Sequence, residues 1–175
     1  QDKFFWGYND KDLFEQSIQV VKKQGFNTRL DVYFTGSSHA PFQIADESTY
    51  RQRFMDLIPV NSPYKLHFEK YEKQYLSLMF LDDALRNFIY AYQQLPEFNN
   101  TIFILTGDHP MTEIPIENSL WRYHVPLLMY SPLLKHPQTF HEVASHLDLY
   151  ETLLSFLNRE YGIKIPNYSA ALGHK

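Results

Sequence analysis

Thr-Ile-Phe-Ile-Leu-Thr-Gly-Asp-His, residues 101–109, is the stretch that decides the fold. Its short apolar run is rich in β-branched residues and ends at a glycine, a pattern typical of a fully buried strand in a parallel sheet. Open parallel sheets bind their ligands just outside the carboxyl ends of the strands. Asp108 and His109 follow this strand directly, so we expect them at the edge where a site forms.

Two interpretations fit Asp108 and His109. A carboxylate beside an imidazole is a donor pair suited to Zn²⁺ or Mn²⁺. In the alternative, Asp108 caps a following turn and His109 is an ordinary loop histidine. Taken alone, the two residues favour the alternative, and the rest of the chain has to decide between them.

The size and composition of the chain are those of a globular protein. Its 175 residues suffice for one domain with a core, and its 44% apolar and 17% aromatic content excludes a disordered chain. A formal net charge of −4 with scattered basic residues gives no basis for nucleic-acid binding. Cysteine is absent, which excludes disulfides, thiolate metal ligands and a cysteine nucleophile within these residues. No apolar run approaches the roughly 20 residues that span a bilayer, so no transmembrane helix is predicted within these residues.

Helical and strand-like segments alternate along the chain. Apolar spacing predicts a helix after Asn9 that stops at Gly25, a strand at 30–34, and an irregular stretch or short helix at 43–65. A helix at 71–92 follows, whose apolar face comprises Leu78, Leu81, Leu85, Phe88 and Tyr92. Strands at 102–106 and 125–130 and a helix after Ser145 that ends near Gly162 complete the order. This order predicts an α/β fold with a mainly parallel sheet and helices on both faces. We expect one α/β unit over residues 1–175.

Two of the predicted strands end in Thr-Gly and then deliver polar side chains. The strand at 30–34 is followed by His39, and the strand at 102–106 by Asp108 and His109. If the helix at 71–92 is a crossover between parallel strands, all three side chains emerge on the same edge of the sheet. This convergence raises the metal interpretation to equal standing with the structural one.

The assembled pattern resembles the alkaline phosphatase superfamily, and within it the sulfatase and lipoteichoic acid synthase-like branch. The matching segments occur in the expected order and cover nearly the whole chain: Trp6-Gly7-Tyr8-Asn9-Asp10 before a helix, Ser38-His39-Ala40-Pro41-Phe42, Leu81-Asp82-Asp83-Ala84-Leu85, Gly107-Asp108-His109, His124-Val125-Pro126-Leu127-Leu128, and Ser145-His146-Leu147-Asp148 before Thr152-Leu153-Leu154. The histidine loop and Gly-Asp-His carry most of the specificity. Pro110-Met111 and Glu151 depart from the family pattern.

The resemblance implies an alkaline phosphatase-like fold and a division of roles among three residues. Asp108 and His109 would bind one divalent cation, Mn²⁺ first, with Mg²⁺, Zn²⁺ or Ca²⁺ as alternatives. His39 would be both a catalytic and a substrate-binding residue, contacting the phosphoryl oxygens or the leaving group. The implied partner is a phosphorylated or sulfated substrate, a lipid headgroup or a glycan. The implied location is extracytoplasmic, in a protein that is membrane-anchored at full length.

Part of the family's active site has no match in these residues. The family's nucleophile, a threonine in the lipoteichoic acid synthase branch, lies upstream together with a further acidic ligand. Two protein ligands are also fewer than a metal site usually has. We therefore expect an incomplete fold, the C-terminal portion of a larger catalytic domain of the phosphoglycerol transferase type. A sulfatase is the alternative within the same class, and a non-catalytic binding domain is the alternative of another class.

Overall fold

The described part of the chain contains four α-helices and two short strands. The computed structural model describes Phe4 and residues 7–25, 28–59 and 61–165, and Trp6 of the first family-like segment lies outside them. In chain order, the elements are α1 (Asp10–Gln24), α2 (Glu47–Leu57), α3 (Tyr64–Tyr92), β1 (Phe103–Thr106), β2 (Leu127–Tyr130) and α4 (His146–Tyr161), with short 3₁₀ helices at Pro96–Asn100 and Ser119–Tyr123. The chain divides into two compact units, Gln1–Lys135 and His136–Lys175. No observation tests the expectation of one α/β unit, which stays a prediction.

The predicted start and end of α1 are confirmed. The side chain of Asn9 accepts a hydrogen bond from the backbone N–H of Asp12 at 3.0 Å and so satisfies one of the open donors of the first turn. The helix stops at Gly25, whose φ of 69° lies in the left-handed region that favours glycine. Local residue chemistry therefore fixes both ends of the helix that leads away from the candidate site.

The main core of the first unit forms where α1 packs on α3. Phe14 of α1 stacks on Phe88 of α3 with 4.7 Å between the ring centroids. Both rings are almost fully buried. The buried members of this core are Phe14, Ile18 and Val21 from α1, and Ala84, Phe88, Tyr92 and Leu95 from α3 and the turn after it.

The predicted helix at 71–92 exists but begins earlier, at Tyr64. Its backbone departs from helical geometry at Tyr71, with φ −121° and ψ 32°, so two helical pieces meet there. The predicted apolar face was wrong at Leu78, which is 43% exposed. The same predicted face is confirmed at Phe88 and Tyr92, which are buried. Both α1 and α2 contact α3, and the buried residues of α3 are Phe68, Tyr71, Leu76, Ser77, Phe80, Ala84, Phe88 and Tyr92.

The short helix α2 confirms one of the two expectations for residues 43–65. Tyr50 of α2 is 2% exposed and donates a hydrogen bond from its hydroxyl to Asp83 of α3 at 2.9 Å. Arg53 also pairs with Asp83, and this guanidinium holds the pKa of the Asp83 carboxyl below its usual value. These contacts hold α2 against α3 at Asp83.

The two strands β1 and β2 occur where strands were predicted, but they pair with each other in antiparallel fashion. Phe103 lies opposite Tyr130, and Thr106 lies opposite Leu127. This two-stranded sheet is the only sheet within the described residues. The mainly parallel sheet with helices on both faces is thus not confirmed. The direction of pairing depends on the path of residues 107–126, which apolar patterning does not encode.

The predicted strand at 30–34 was wrong. Residues 28–36 form no strand, and no other described segment pairs with them. Leu30, Val32 and Phe34 alternate as the sequence requires, yet all three are more than 60% exposed. Alternation favours a strand only where a neighbouring strand supplies ladder hydrogen bonds, and here none of the described segments does. The expected parallel crossover between 30–34 and 102–106 is therefore absent from the described residues.

The second unit contains α4, whose predicted limits are confirmed. Ser145 donates its backbone N–H to the Asp148 carboxylate at 2.7 Å, which completes a capping box. This bond and a second from the Ser145 hydroxyl lower the pKa of Asp148. Gly162 ends the helix with a φ of 64°. Within the described ranges, no helix combines the length and the apolar character required to cross a bilayer.

Candidate active site

His39 lies in a tight loop that follows the extended residues 28–36. The backbone N–H of His39 donates to the carbonyl of Gly36 at 3.1 Å, and the N–H of Phe42 donates to the carbonyl of His39 at 2.7 Å. The Ala40–Pro41 peptide bond is cis, and Phe42 has a positive φ of 59° with a buried side chain. Two successive turn bonds thus define the path of the backbone on both sides of the histidine.

The His39 ring is exposed at the surface with a defined orientation. Its Nδ1 lies 3.0 Å from the carbonyl oxygen of Ala40. A carbonyl can only accept, so Nδ1 is the donor of this bond and Nε2 is the acceptor nitrogen of the neutral ring. A shallow depression of about 230 Å³, partly open solvent, lies beside the ring. Its lining residues are Phe4, Tyr8, Gly36, Ser37, His39, Pro41 and Gln43.

Asp10, the first residue of α1, holds the start of this loop. Its side chain is completely buried, and its Oδ1 accepts the backbone N–H groups of Gly36 at 2.8 Å and Ser37 at 3.3 Å. In return, the Ser37 hydroxyl accepts the backbone N–H of Asp10 at 3.2 Å. Burial raises the pKa of Asp10, while the bonds from Gly36 and Ser37 oppose that rise.

Sequence reasoning placed Asp10 only at the start of a helix and missed this role. The contact joins residues 26 and 27 positions apart, so no local periodicity reveals it. The available signal was an aspartate next to an N-cap asparagine, followed later by a Gly-Ser-Ser turn with open backbone donors.

Asp108 and His109 follow β1, as predicted, on an open surface. Their side chains are 84% and 54% exposed. The Asp108 Oδ1 accepts the backbone N–H of His109 at 2.9 Å, which orients the carboxylate toward the histidine. Asp108 Oδ2 then lies 3.6 Å from His109 Nε2. Oδ1 of Asp108 therefore makes a local backbone contact, as in the capping interpretation. Oδ2 faces the His109 ring, as in the ligand interpretation.

The His109 ring has the nitrogen arrangement of a metal ligand. Its Nδ1 lies 2.7 Å from the carbonyl oxygen of Pro110 and must donate to it. Histidines that bind metals usually donate one ring N–H to such an acceptor and present the other nitrogen to the ion. Here the second nitrogen, Nε2, is the one that faces Asp108. A hard oxygen and an imidazole nitrogen on one side of a loop fit a divalent cation by donor type.

The described residues do not complete a metal site around Asp108 and His109. No group of three or more His, Asp or Glu side chains that could hold an ion occurs among the described residues. The depression beside His39 is lined by neither Asp108 nor His109. The donor chemistry of Asp108 and His109 fits a metal, while their number falls short of the three or more protein ligands usual for one.

Comparison with known proteins decides the family. The family model described as Sulfatase matches residues 1–158, which is most of the chain. The chain belongs to the sulfatase family. This match confirms the resemblance to the alkaline phosphatase superfamily, and membership implies an alkaline phosphatase-like α/β fold. Sulfatase-family enzymes act on sulfated or phosphorylated substrates and typically use a divalent metal.

The chain is also similar to a protein of the lipoteichoic acid synthase-like branch. The chain is 22% identical over 174 aligned residues to the lipoteichoic acid synthase-like protein YvgJ of Bacillus subtilis (strain 168). The alignment covers 89% of this sulfatase-family chain and 26% of the relative, so the chain spans about a quarter of that protein's length. No solved structure matches the chain.

Proposed function

We propose that this sulfatase-family chain is part of a metal-dependent phosphoester transferase or hydrolase that resembles phosphoglycerol transferases of the lipoteichoic acid synthase type. The observation that carries the proposal is the arrangement at residues 108–110. His109 Nδ1 is committed to the Pro110 carbonyl, and His109 Nε2 and Asp108 Oδ2 face each other across 3.6 Å. Family membership and the similarity to a lipoteichoic acid synthase-like protein support the same assignment.

In this proposal, Asp108 and His109 supply two ligands of a divalent cation, Mn²⁺ in the first place. When bound, such a cation supplies Lewis-acid stabilisation of phosphoryl oxygens. The exposure of both side chains is consistent with ligands that are completed by residues outside the described set. The nucleophile and the remaining acidic ligand belong to those other residues, and the chain is the C-terminal portion of the catalytic domain.

His39 has a separate role in this proposal. Its ring is the substrate-contacting group, reaching a phosphoryl oxygen or the leaving-group oxygen. With Nδ1 committed to the Ala40 carbonyl, Nε2 either accepts a proton in the neutral ring or donates one from the protonated ring. A positioned imidazole of this kind stabilises charge that develops on oxygen during transfer.

The resemblance to lipoteichoic acid synthases also supports a proposed location. The full-length protein is extracytoplasmic and membrane-anchored through segments outside these residues, and a lipid headgroup is the first candidate substrate. A glycan is the second.

Metal content and turnover, measured together in the full-length protein, test this proposal. Asp108→Asn and His109→Ala are compared with Glu117→Gln and His136→Ala, which alter an exposed carboxylate and an exposed histidine elsewhere. Turnover is followed as release of diacylglycerol from vesicles that contain phosphatidylglycerol. We expect both site variants to lose Mn²⁺ and activity together while both controls keep them. Full metal loading with unchanged activity in either site variant would falsify the assignment.

The family description favours one further candidate, a sulfuric ester hydrolase. The sulfatase nucleophile motif, Cys or Ser followed by any residue, Pro, any residue and Arg, does not occur in this sequence. Turnover of p-nitrophenyl sulfate without diacylglycerol release identifies the sulfatase. A well-folded full-length protein that turns over neither substrate and binds no Mn²⁺ identifies a non-catalytic binding domain.

A further inference from the structure

Asp10 is a buried carboxylate that serves two chain segments at once. It begins α1, and its Oδ1 accepts two consecutive backbone N–H groups from the loop that leads to His39. Its Oδ2 is buried and has no hydrogen-bond partner among the described residues. A buried acid with one oxygen unpaired is costly, so helix propensity alone does not account for an aspartate here.

We propose that Asp10 is a positioning residue for His39, acting through the backbone of Gly36 and Ser37. The inference rests on the role proposed above for the His39 ring. Gly36 and Ser37 stand three and two residues before the histidine, and the Gly36 carbonyl in turn accepts the N–H of His39 at 3.1 Å. Asp10, Gly36 and the backbone N–H of His39 thus form a continuous chain of hydrogen bonds from the buried start of α1 to the residue that carries the exposed ring.

The anchor beneath Asp10 is rigid because α1 is packed and capped. Asn9 caps the helix, and Phe14 and Ile18 hold it against α3 in the main core. The residues that line the depression beside His39 include Gly36 and Ser37, whose amides bind Asp10. Loss of the Asp10 carboxylate would leave the backbone N–H groups of Gly36 and Ser37 without this acceptor. The His39 ring would then sample a wider range of positions. The geometry therefore links core packing to the orientation of one surface histidine.

Three substitutions separate positioning from mere folding. Asp10→Ala removes both acceptor bonds. Asp10→Asn keeps an oxygen acceptor of the same reach for both amides. Asp12→Ala is the matched control, because Asp12 lies in the same helical turn and its carboxylate contacts Asn9 rather than the loop.

Nuclear magnetic resonance of the full-length protein gives readouts that do not depend on activity. Amide hydrogen exchange is measured at Gly36 and Ser37, the His39 ring signal is recorded, and inorganic phosphate is added as the probe. In Asp10→Ala we expect exchange at both amides to accelerate about 10-fold or more, which is the scale of losing a charge-assisted hydrogen bond. The His39 ring signal should shift with it. Asp10→Asn and Asp12→Ala should stay close to the parent chain.

Unchanged amide exchange and an unchanged His39 signal in folded Asp10→Ala overturn the inference. Should that variant fail to fold, Asp10→Glu takes its place, since it keeps the charge but moves the carboxylate by one methylene. A shifted His39 signal in Asp10→Glu supports positioning, and an unmoved signal overturns it. The addition of phosphate tests the other claim: no response of the His39 signal in the unsubstituted full-length protein counts against the proposed function and leaves the Asp10 anchor standing.

Discussion

The loop around His39 and the segment Asp108–His109 present candidate site residues in opposite ways. The loop is tied to a fully buried carboxylate, Asp10, whose partners lie 26 and 27 residues away. Asp108 and His109 contact each other, His109 also contacts Pro110, and both side chains are largely exposed. The described fold therefore holds the backbone before His39, the proposed substrate-contacting residue, through a buried side chain. It leaves the proposed metal ligands oriented only by their own neighbours.

This difference separates two kinds of preorganisation. A ring held through core contacts keeps its place whether or not a ligand is present. Two exposed side chains that share a local hydrogen-bond pattern gain their final geometry when an ion and further ligands complete the site. We expect substitutions in the two regions to differ in what they disturb.

The largest expected effect separates His39 from His109 by function. His39→Ala in the full-length protein should lower kcat about 100-fold or more, the range for losing a general acid–base or charge-stabilising group. Bound Mn²⁺ should stay at the parent level because His39 is not a ligand. His109→Ala should lose both activity and bound Mn²⁺. The measurements are kcat and metal content of the purified variants, and loss of metal in His39→Ala would erase the distinction between the regions.

The next effect concerns the packing that supports Asp10. Phe14 is 4% exposed and stacks on Phe88, so Phe14→Ala should lower the free energy of unfolding by about 3–5 kcal/mol. Phe34→Ala is the matched control, since Phe34 is 86% exposed and should change stability by no more than about 0.5 kcal/mol. Urea unfolding of the 175-residue chain checks both. Equal effects of the two changes would show that α1 is not the rigid support described here.

A smaller effect tests the cap of the same helix. Asn9→Ala removes the bond to the backbone N–H of Asp12 and should cost about 1 kcal/mol of stability. Asn9→Ser restores a capping oxygen and should recover most of the loss, as measured by urea unfolding. If alanine and serine variants are equally stable, the cap is not what fixes the start of α1.

The smallest effect is on how the free energy of unfolding changes with pH. Its sign differs between Asp10 and Asp83. Burial raises the pKa of Asp10 above the ordinary 3.8, so its contribution to stability is complete below 3.8 and is lost as pH rises through the raised pKa. Arg53 lowers the pKa of Asp83, so that contribution is present above 3.8 and is lost as pH falls through the lowered pKa. The stability of Asp10→Asn relative to the parent chain should therefore increase as pH rises.

Asp83→Asn supplies the matched comparison for that slope. The loss of stability caused by Asp83→Asn should be smallest at low pH and largest near neutrality, the opposite trend. The reason is that the Asp83 carboxylate stabilises the fold only when it is ionised. Urea midpoints measured from about pH 3 to about pH 7 give both trends. Parallel trends in the two variants would contradict the assignment of a buried, destabilised charge to Asp10.

Local signals in the sequence predicted the ends of helices well. Asn9 with Gly25 and the Ser145–Asp148 capping box each act within a few residues, so their chemistry is visible in the sequence. The strand positions at β1 and β2 were also predicted. Their antiparallel pairing was not, since the partner of a strand depends on the path of the chain between them.

Non-local effects account for the predictions that were wrong. The alternating residues 30–34 form no strand because no described segment pairs with them. Leu78 is exposed although Phe88 and Tyr92 of the same predicted face are buried, since tertiary contacts decide which part of a helical face is covered. At the candidate site, Asp108, His109 and His39 were predicted from the ends of predicted strands and from a family resemblance. Asp10 was not recognised, because its partners are distant in sequence and only the folded backbone brings them together.

The most direct test of the central claim is anomalous diffraction from crystals of the full-length protein loaded with Mn²⁺. We expect one manganese peak that is coordinated directly by an Asp108 carboxylate oxygen and by His109 Nε2, donor types that suit this ion. His109 Nδ1 should still donate to the Pro110 carbonyl. A fully occupied manganese peak that touches neither Asp108 nor His109 would contradict the account.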